Sequence, residues 1–271
     1  MPGATGRLGD KRELQRVRTV RRVPELRSEW TDVEGLRLHA RVGGAGADRV
    51  VLVHGIAVSS RYMIPLAREL AGDVGVAAVD LPGFGRSARP RGALSVTELG
   101  HALAAWLDAN AVARPLLVGN SFGCQVVVDL AARERSRARG LVLIGPTTDA
   151  ANRSAPNQIA RWAVSPLVER PSLPPIVALD ATAAGPRRIW STFRASLRDP
   201  IEDKVAAIEV PILVLRGAND PLAPQPWVEH LVSRMRRGRL AVIPGGGHAL
   251  NHSRPAEVAA AVRVHLAATS S

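Results

Sequence analysis

Five residues, Gly119-Asn120-Ser121-Phe122-Gly123, constrain this chain more than any others. They follow the apolar run Pro115-Leu116-Leu117-Val118 and precede a helical pattern, so Ser121 sits where a strand turns sharply into a helix. A turn of that kind lifts a serine hydroxyl clear of a sheet. It is strained, and the positions flanking the serine must be small because strand and helix close in on them. Gly119 and Gly123 occupy those positions.

The rest of the chain supplies the scaffold such a turn needs. Segments 29–33 and 36–42 read as strands joined at Glu34-Gly35. Apolar runs at 50–53, 74–79, 115–118, 141–144, 211–215 and 240–243 have the composition of strands buried on both faces of a parallel sheet. Between them lie helical patterns at 62–70, 95–109, 121–132, 227–235 and 255–267. Ser95 and Glu98 form a capping box at the start of the second, and Pro255 opens the last. This alternation predicts an α/β fold, a mostly parallel sheet with helices on both faces. Its core covers 28–146 and 206–271. The pattern breaks over 147–205, where seven prolines divide short helical stretches; this segment is expected to be a helical cap inserted into the core.

Two residues downstream of Ser121 complete a possible chemistry. Serine is a poor nucleophile unless a base takes its proton and a carboxylate orients that base. Asp220 follows the strand at 211–215, and His248 follows the strand at 240–243 after Gly245-Gly246-Gly247. Both therefore fall at strand carboxyl ends, the edge where open α/β sheets place their sites. Asp149 and Asp203 are rival carboxylates; the Gly217-x-x-Asp220 setting and its strand register favour Asp220. An oxyanion would be held by the backbone N–H groups of Phe122, beside the nucleophile, and of Ile56, in the loop His54-Gly55-Ile56. His54 reads as a residue that fixes this loop, Asp80 as the cap of the loop 80–87, and Cys124 as packing. Arg161, Trp162, Trp190 and Phe193 are the pocket candidates on the inserted segment.

Composition narrows the class further. The net charge of +12 raises nucleic acid or an acidic membrane as a partner. The positive charge is almost all arginine, with only Lys11 and Lys204 as lysines, and it is spread along the chain. The one dense tract, 6–27, belongs to an extension over 1–27 that reads as flexible and solvated, with no helix-turn-helix or RNA-binding motif. No specific nucleic-acid partner is expected. No apolar run approaches the ~20 residues of a membrane helix. With a single cysteine and no apolar leader segment, a cytoplasmic protein is expected. No metal, nucleotide or other cofactor motif is present; Gly83-x-Gly85 and Gly245-Gly246-Gly247 match neither phosphate-binding fingerprint.

On His54-Gly55, the loop Asp80-x-Pro-Gly-x-Gly-x-Ser87, the Ser121 turn, Gly217-x-x-Asp220 and Gly247-His248, the chain resembles the α/β-hydrolase superfamily over about residues 30–267. The resemblance implies the α/β-hydrolase fold with a cap and a Ser121–His248–Asp220 triad acting on a small-molecule acyl substrate such as a carboxylic ester. Members that open epoxides or remove halides carry aspartate where this chain has Ser121. Asn120 is similar to the residue preceding the serine in carbon–carbon hydrolases of ring-cleavage products, although Ile56-Ala57 and Ala249 depart from their pattern. A non-catalytic ligand-binding protein on the same fold is the third expectation.

Overall fold

The computed structural model describes residues 25–269. The expected extension 1–27 lies outside them up to residue 24; Arg27 itself opens the first strand. Eight strands form one sheet: β1 (Arg27–Val33), β2 (Leu36–Gly43), β3 (Arg49–Val53), β4 (Gly75–Val79), β5 (Leu116–Asn120), β6 (Gly140–Ile144), β7 (Ile212–Gly217) and β8 (Gly238–Ile243). Their spatial order is β1-β2-β4-β3-β5-β6-β7-β8. β2 runs antiparallel to β1 and β4; every later pairing is parallel. The α/β expectation therefore holds, and β5, which delivers Ser121, lies near the middle of the sheet.

The central strands are apolar without alternation because helices cover both faces. Val51, Val53 and Leu117 point into one core cluster with α2 (Val96–Ala109) and α3 (Phe122–Arg133). Val50, Leu52, Leu116 and Val118 point into the other, with α1 (Ser60–Leu70) and the C-terminal helix. Successive side chains of a strand face opposite ways, so a strand inside such a sandwich needs apolar residues at every position. Strand and helix bounds differ from the sequence expectation by a residue or two at most ends. The Ser95–Glu98 capping box is present at α2.

Between β6 and β7 the chain leaves the sheet and forms a 3₁₀ turn (Ala150–Asn152), α4 (Ala155–Val164), a second 3₁₀ turn (Ser165–Val168), α5 (Leu173–Ala184), α6 (Pro186–Arg198) and α7 (Ile201–Val205). Proline stands at the first or second position of α4, α5, α6 and the second 3₁₀ turn, where its missing N–H costs nothing. The prolines thus start these helices as well as separating them. α8 (Gln225–Ser233), the short α9 (Leu250–Ser253) and α10 (Pro255–Ala268) complete the chain.

Polar contacts, some of them buried, tie the inserted segment to the core. Asp180 of α5 accepts from the Ser59 hydroxyl at 2.6 Å and faces Arg61 at 3.4 Å. Ser196 of α6 donates to Gln125 of α3 at 2.6 Å, and Gln125 returns a bond to the Ser196 carbonyl at 2.9 Å. Arg188 donates to the carbonyls of Pro90 and Gly92 at 2.6 and 2.8 Å.

Candidate active site

Ser121 joins β5 to α3 with φ 55° and ψ −122°, a conformation that a residue with a side chain adopts only at a cost of about 1–3 kcal/mol. The surrounding structure imposes it. A Cβ at position 119 would lie 2.5 Å from the Gly123 carbonyl oxygen, and one at 123 would lie 2.3 Å from that of Val53. Glycine at both positions lets the strand and helix approach closely enough to hold the turn. The Ser121 N–H donates to Ile144 O at 2.9 Å, fixing the turn to β6.

His248 and Asp220 meet at the carboxyl edge of the sheet. His248 Nδ1 lies 2.9 Å from Asp220 Oδ2, and Asp220 Oδ1 accepts the N–H groups of Leu222 and Ala223 at 2.8 and 3.1 Å. Burial works to raise the Asp220 pKa. The facing imidazole charge, its hydrogen bond and the two amides outweigh burial and hold the carboxyl below its ordinary range. Burial works to lower the His248 pKa, but Asp220, by charge and hydrogen bond, and Glu169, by charge, raise it above the ordinary value. With Asp220 ionised, Nδ1 carries the proton. Nε2 is left as the free acceptor; it is buried and makes no hydrogen bond among the described residues, Ser121 Oγ included.

Ser121 and His248 line one cavity of about 610 Å³, together with Gly55, Ile56 and residues of the inserted segment. Gly55 runs so close to Ser121 that a Cβ on the glycine would sit 3.1 Å from Ser121 Cβ. Ile56 therefore follows directly beside Ser121, and Phe122, as the first residue of α3, has a backbone N–H free of intrahelical bonds. The fully buried His54 ring holds this loop: Nδ1 donates to Gly55 O at 2.8 Å, and Nε2 accepts from Leu81 N–H at 3.0 Å. Asp80 accepts from Ser60 N, Arg86 N and His39 Nδ1 at 2.5, 2.9 and 2.7 Å, which accounts for it within its loop.

Of the pocket candidates, Trp162, Trp190 and Phe193 line the cavity. Arg161 does not. Its guanidinium turns back to Asp149, Nη1 to Oδ2 at 3.0 Å, because that buried carboxylate at the start of the segment needs a partner. The same contact removes Asp149 as a partner for His248: its oxygens are taken by Arg161, Ala151 N–H and Asn152 Nδ2. Asp203 is mostly exposed and faces Arg234 at 3.6 Å. Cys124 is fully buried, its thiol pushed up by that burial and donating to Gly119 O at 3.2 Å. Two neighbours of the His–Asp pair carry no motif in the sequence. Gly145, after β6, backs onto it, and Glu169 approaches the histidine loop from the inserted segment.

The model of the alpha/beta hydrolase family matches residues 50–261, most of the chain. The chain belongs to the α/β-hydrolase family. It is 30% identical over 214 residues to 2-hydroxymuconate semialdehyde hydrolase of Pseudomonas sp. (strain CF600), covering 73% of this chain and 68% of that one. It is 26% identical over 234 residues to the pimeloyl-[acyl-carrier protein] methyl ester esterase of Neisseria meningitidis serogroup B, covering 76% and 88%. Two longer relatives, an acetoin-system dihydrolipoyllysine-residue acetyltransferase component of Cupriavidus necator and the bifunctional BioHC protein of Cellvibrio japonicus, are spanned over only 32% and 46% of their lengths. Among solved structures, a membrane phospholipase A superposes with a TM-score of 0.80 at 25% identity, over 96% of this α/β hydrolase and 92% of that chain. Among the described residues, no helix is long and apolar enough to cross a membrane.

Proposed function

We propose that this α/β hydrolase is a serine hydrolase that cleaves a carboxylic ester or a related acyl compound through an acyl-enzyme. The observation that carries the reading is Ser121 held in a strained turn in the wall of a cavity that also contains His248, itself hydrogen-bonded to Asp220 at 2.9 Å. Ser121 Oγ attacks the substrate carbonyl carbon, its proton passes to His248 Nε2, and the carbonyl π electrons move onto oxygen. The N–H groups of Ile56 and Phe122 hold that oxyanion. The oxyanion then collapses, the bond to the alcohol breaks, and His248 returns the proton to the leaving oxygen. Water repeats the sequence on the acyl-enzyme.

The segment 147–205 serves as a cap that selects the substrate, over a core of 28–146 and 206–271. The cavity volume falls inside the ~300–1,000 Å³ of small-molecule sites. Ile159, Trp162, Leu173, Val177, Trp190 and Phe193 give it walls suited to an alkyl or aryl acyl group. Carbon–carbon bond cleavage of a diketone-like compound on the same residues is the second reading. It is favoured by Asn120 before the serine and by the similarity to a semialdehyde hydrolase.

Both readings need the serine. Ser121→Ala should lower kcat on activated esters of graded acyl length by about 10⁴- to 10⁶-fold and abolish labelling by a fluorophosphonate, with thermal stability retained. More than about a tenth of the activity remaining would end the nucleophile assignment.

A further inference from the structure

Glu169 follows the second 3₁₀ turn of the inserted segment and is, among the described residues, the single acidic one in the cavity lining. Its Oε1 accepts the Ala249 N–H at 2.8 Å. A Cβ on Gly247 would lie 2.5 Å from that same oxygen. One carboxylate oxygen thus touches both residues that flank His248, across 80 positions of sequence. The other, Oε2, is buried and has no hydrogen-bond partner among the described residues.

We propose that Glu169 is a positioning residue for His248: it clamps the inserted segment onto the histidine loop, and its charge supports the imidazolium that forms when Ser121 gives up its proton. This rests on the serine-hydrolase reading above. The histidine then faces two carboxylates with different roles. Asp220 grips Nδ1 directly, whereas Glu169 holds the backbone beside it and acts on the ring without touching it. Because Glu169 belongs to the segment that walls the cavity, the base is fully tuned only while that segment is seated. Substrate selection and the strength of the base are thereby linked in one contact.

The surroundings agree. Burial raises the Glu169 pKa, opposed by the amides of Ala249 and His248 and by the imidazole charge. Asp220 faces from the loop after β7. Tyr62 faces from α1, its phenol pushed up by burial and then by Glu169 and Asp220. His252 of α9 stacks on Tyr62, and Arg170 acts on His252. A negative neighbour favours imidazolium, so Glu169 moves the loss of the free base to higher pH. The acid limb of the wild-type profile belongs to the Glu169–His248 pair rather than to either group alone.

The test is the rate of fluorophosphonate labelling of Ser121 and of ester turnover across pH, in Glu169→Gln, Glu169→Ala and Glu169→Asp. Glutamine keeps an acceptor for Ala249 N–H and removes the charge. Its melting temperature should stay near wild type while the acid limb moves to lower pH and the plateau rate drops severalfold. Alanine loses both contributions, and its plateau should fall about tenfold or more. Aspartate keeps the charge and should restore the position of the limb even if the shorter side chain weakens the clamp. A glutamine variant with the wild-type limb and plateau would overturn the proposal. So would an alanine variant that loses stability in proportion to activity with no change in profile. A Ser121→Ala protein that still turns over ester would instead remove the nucleophile reading, and this proposal with it.

Discussion

Replacing Gly145 by alanine tests the geometry of the His–Asp pair without touching either member. Gly145 has φ +54°, where an alanine pays about 1 kcal/mol or more in backbone strain. Its added Cβ would also lie 2.9 Å from Asp220 Oδ2, 2.9 Å from His248 Nδ1 and 3.0 Å from His248 Cε1. Nonbonded heavy atoms rest at about 3.5 Å or more, so the pair must retreat by roughly half an ångström. It has little room to do so, because Asp220 Oδ1 is pinned by two amides and β6 by the Gly145 N–H bond to Leu215 O at 2.8 Å. A misplacement of ~1 Å costs on the order of a hundredfold in rate, so Gly145→Ala should lose about tenfold to a hundredfold in kcat. Strain and overpacking together should lower unfolding free energy by about 1–3 kcal/mol. Ester turnover and urea unfolding measure the two effects. Gly92→Ala is the control, since its Cβ would meet no atom of the described residues within 4 Å. If Gly145→Ala matches Gly92→Ala in both assays, His248 and Asp220 do not pair against Gly145 in the working protein.

Asp220→Asn should leave Oδ1 bound to the Leu222 and Ala223 amides but turn an N–H₂ toward His248 Nδ1. The ring then takes the tautomer that has no free base facing Ser121, and kcat should fall by about 10⁴-fold. The lost carboxylate raised the His248 pKa, so whatever activity survives should show its acid limb at lower pH; an unshifted limb would place another carboxylate on the ring. Arg161→Ala should lower stability by about 1 kcal/mol through the loss of the Asp149 pair and leave kcat/KM within about twofold for every ester. A change in acyl preference would put Arg161 back in the pocket. Trp162→Ala and Trp190→Ala should shift preference toward longer acyl chains while phosphonate labelling of Ser121 stays near wild type; equal losses on all substrates would separate these residues from specificity.

Much of the architecture was legible because it is written in short-range patterns. Unbroken apolar runs such as 50–53 and 115–118 mark strands covered on both sides, and a glycine two places either side of Ser121 marks the turn that tight strand–helix packing demands. Ser121, Asp220 and His248 stood out for the same reason. Each follows a recognisable strand, and in a parallel sheet every strand that ends at one edge delivers its loop to the same place.

What the sequence left open are contacts between segments that no local pattern relates. Arg161 is a pocket candidate by its place in the inserted segment; only the folded chain shows the buried Asp149 carboxylate paired with its guanidinium. Gly145 has no motif around it, and its requirement for hydrogen at Cα arises from two side chains 75 and 103 positions away. Glu169 reads as an ordinary charge between prolines until α4 and α5 pack over the sheet edge and set it against the histidine loop. Periodicity records which face of an element is buried. It carries nothing about which distant side chain arrives at that face, since arrival depends on loop paths and helix packing settled by the whole core. The sequence by itself therefore determined the sheet, the turn and the three residues at its edge. The tertiary structure alone decided what backs the His–Asp pair and which charge overlooks it.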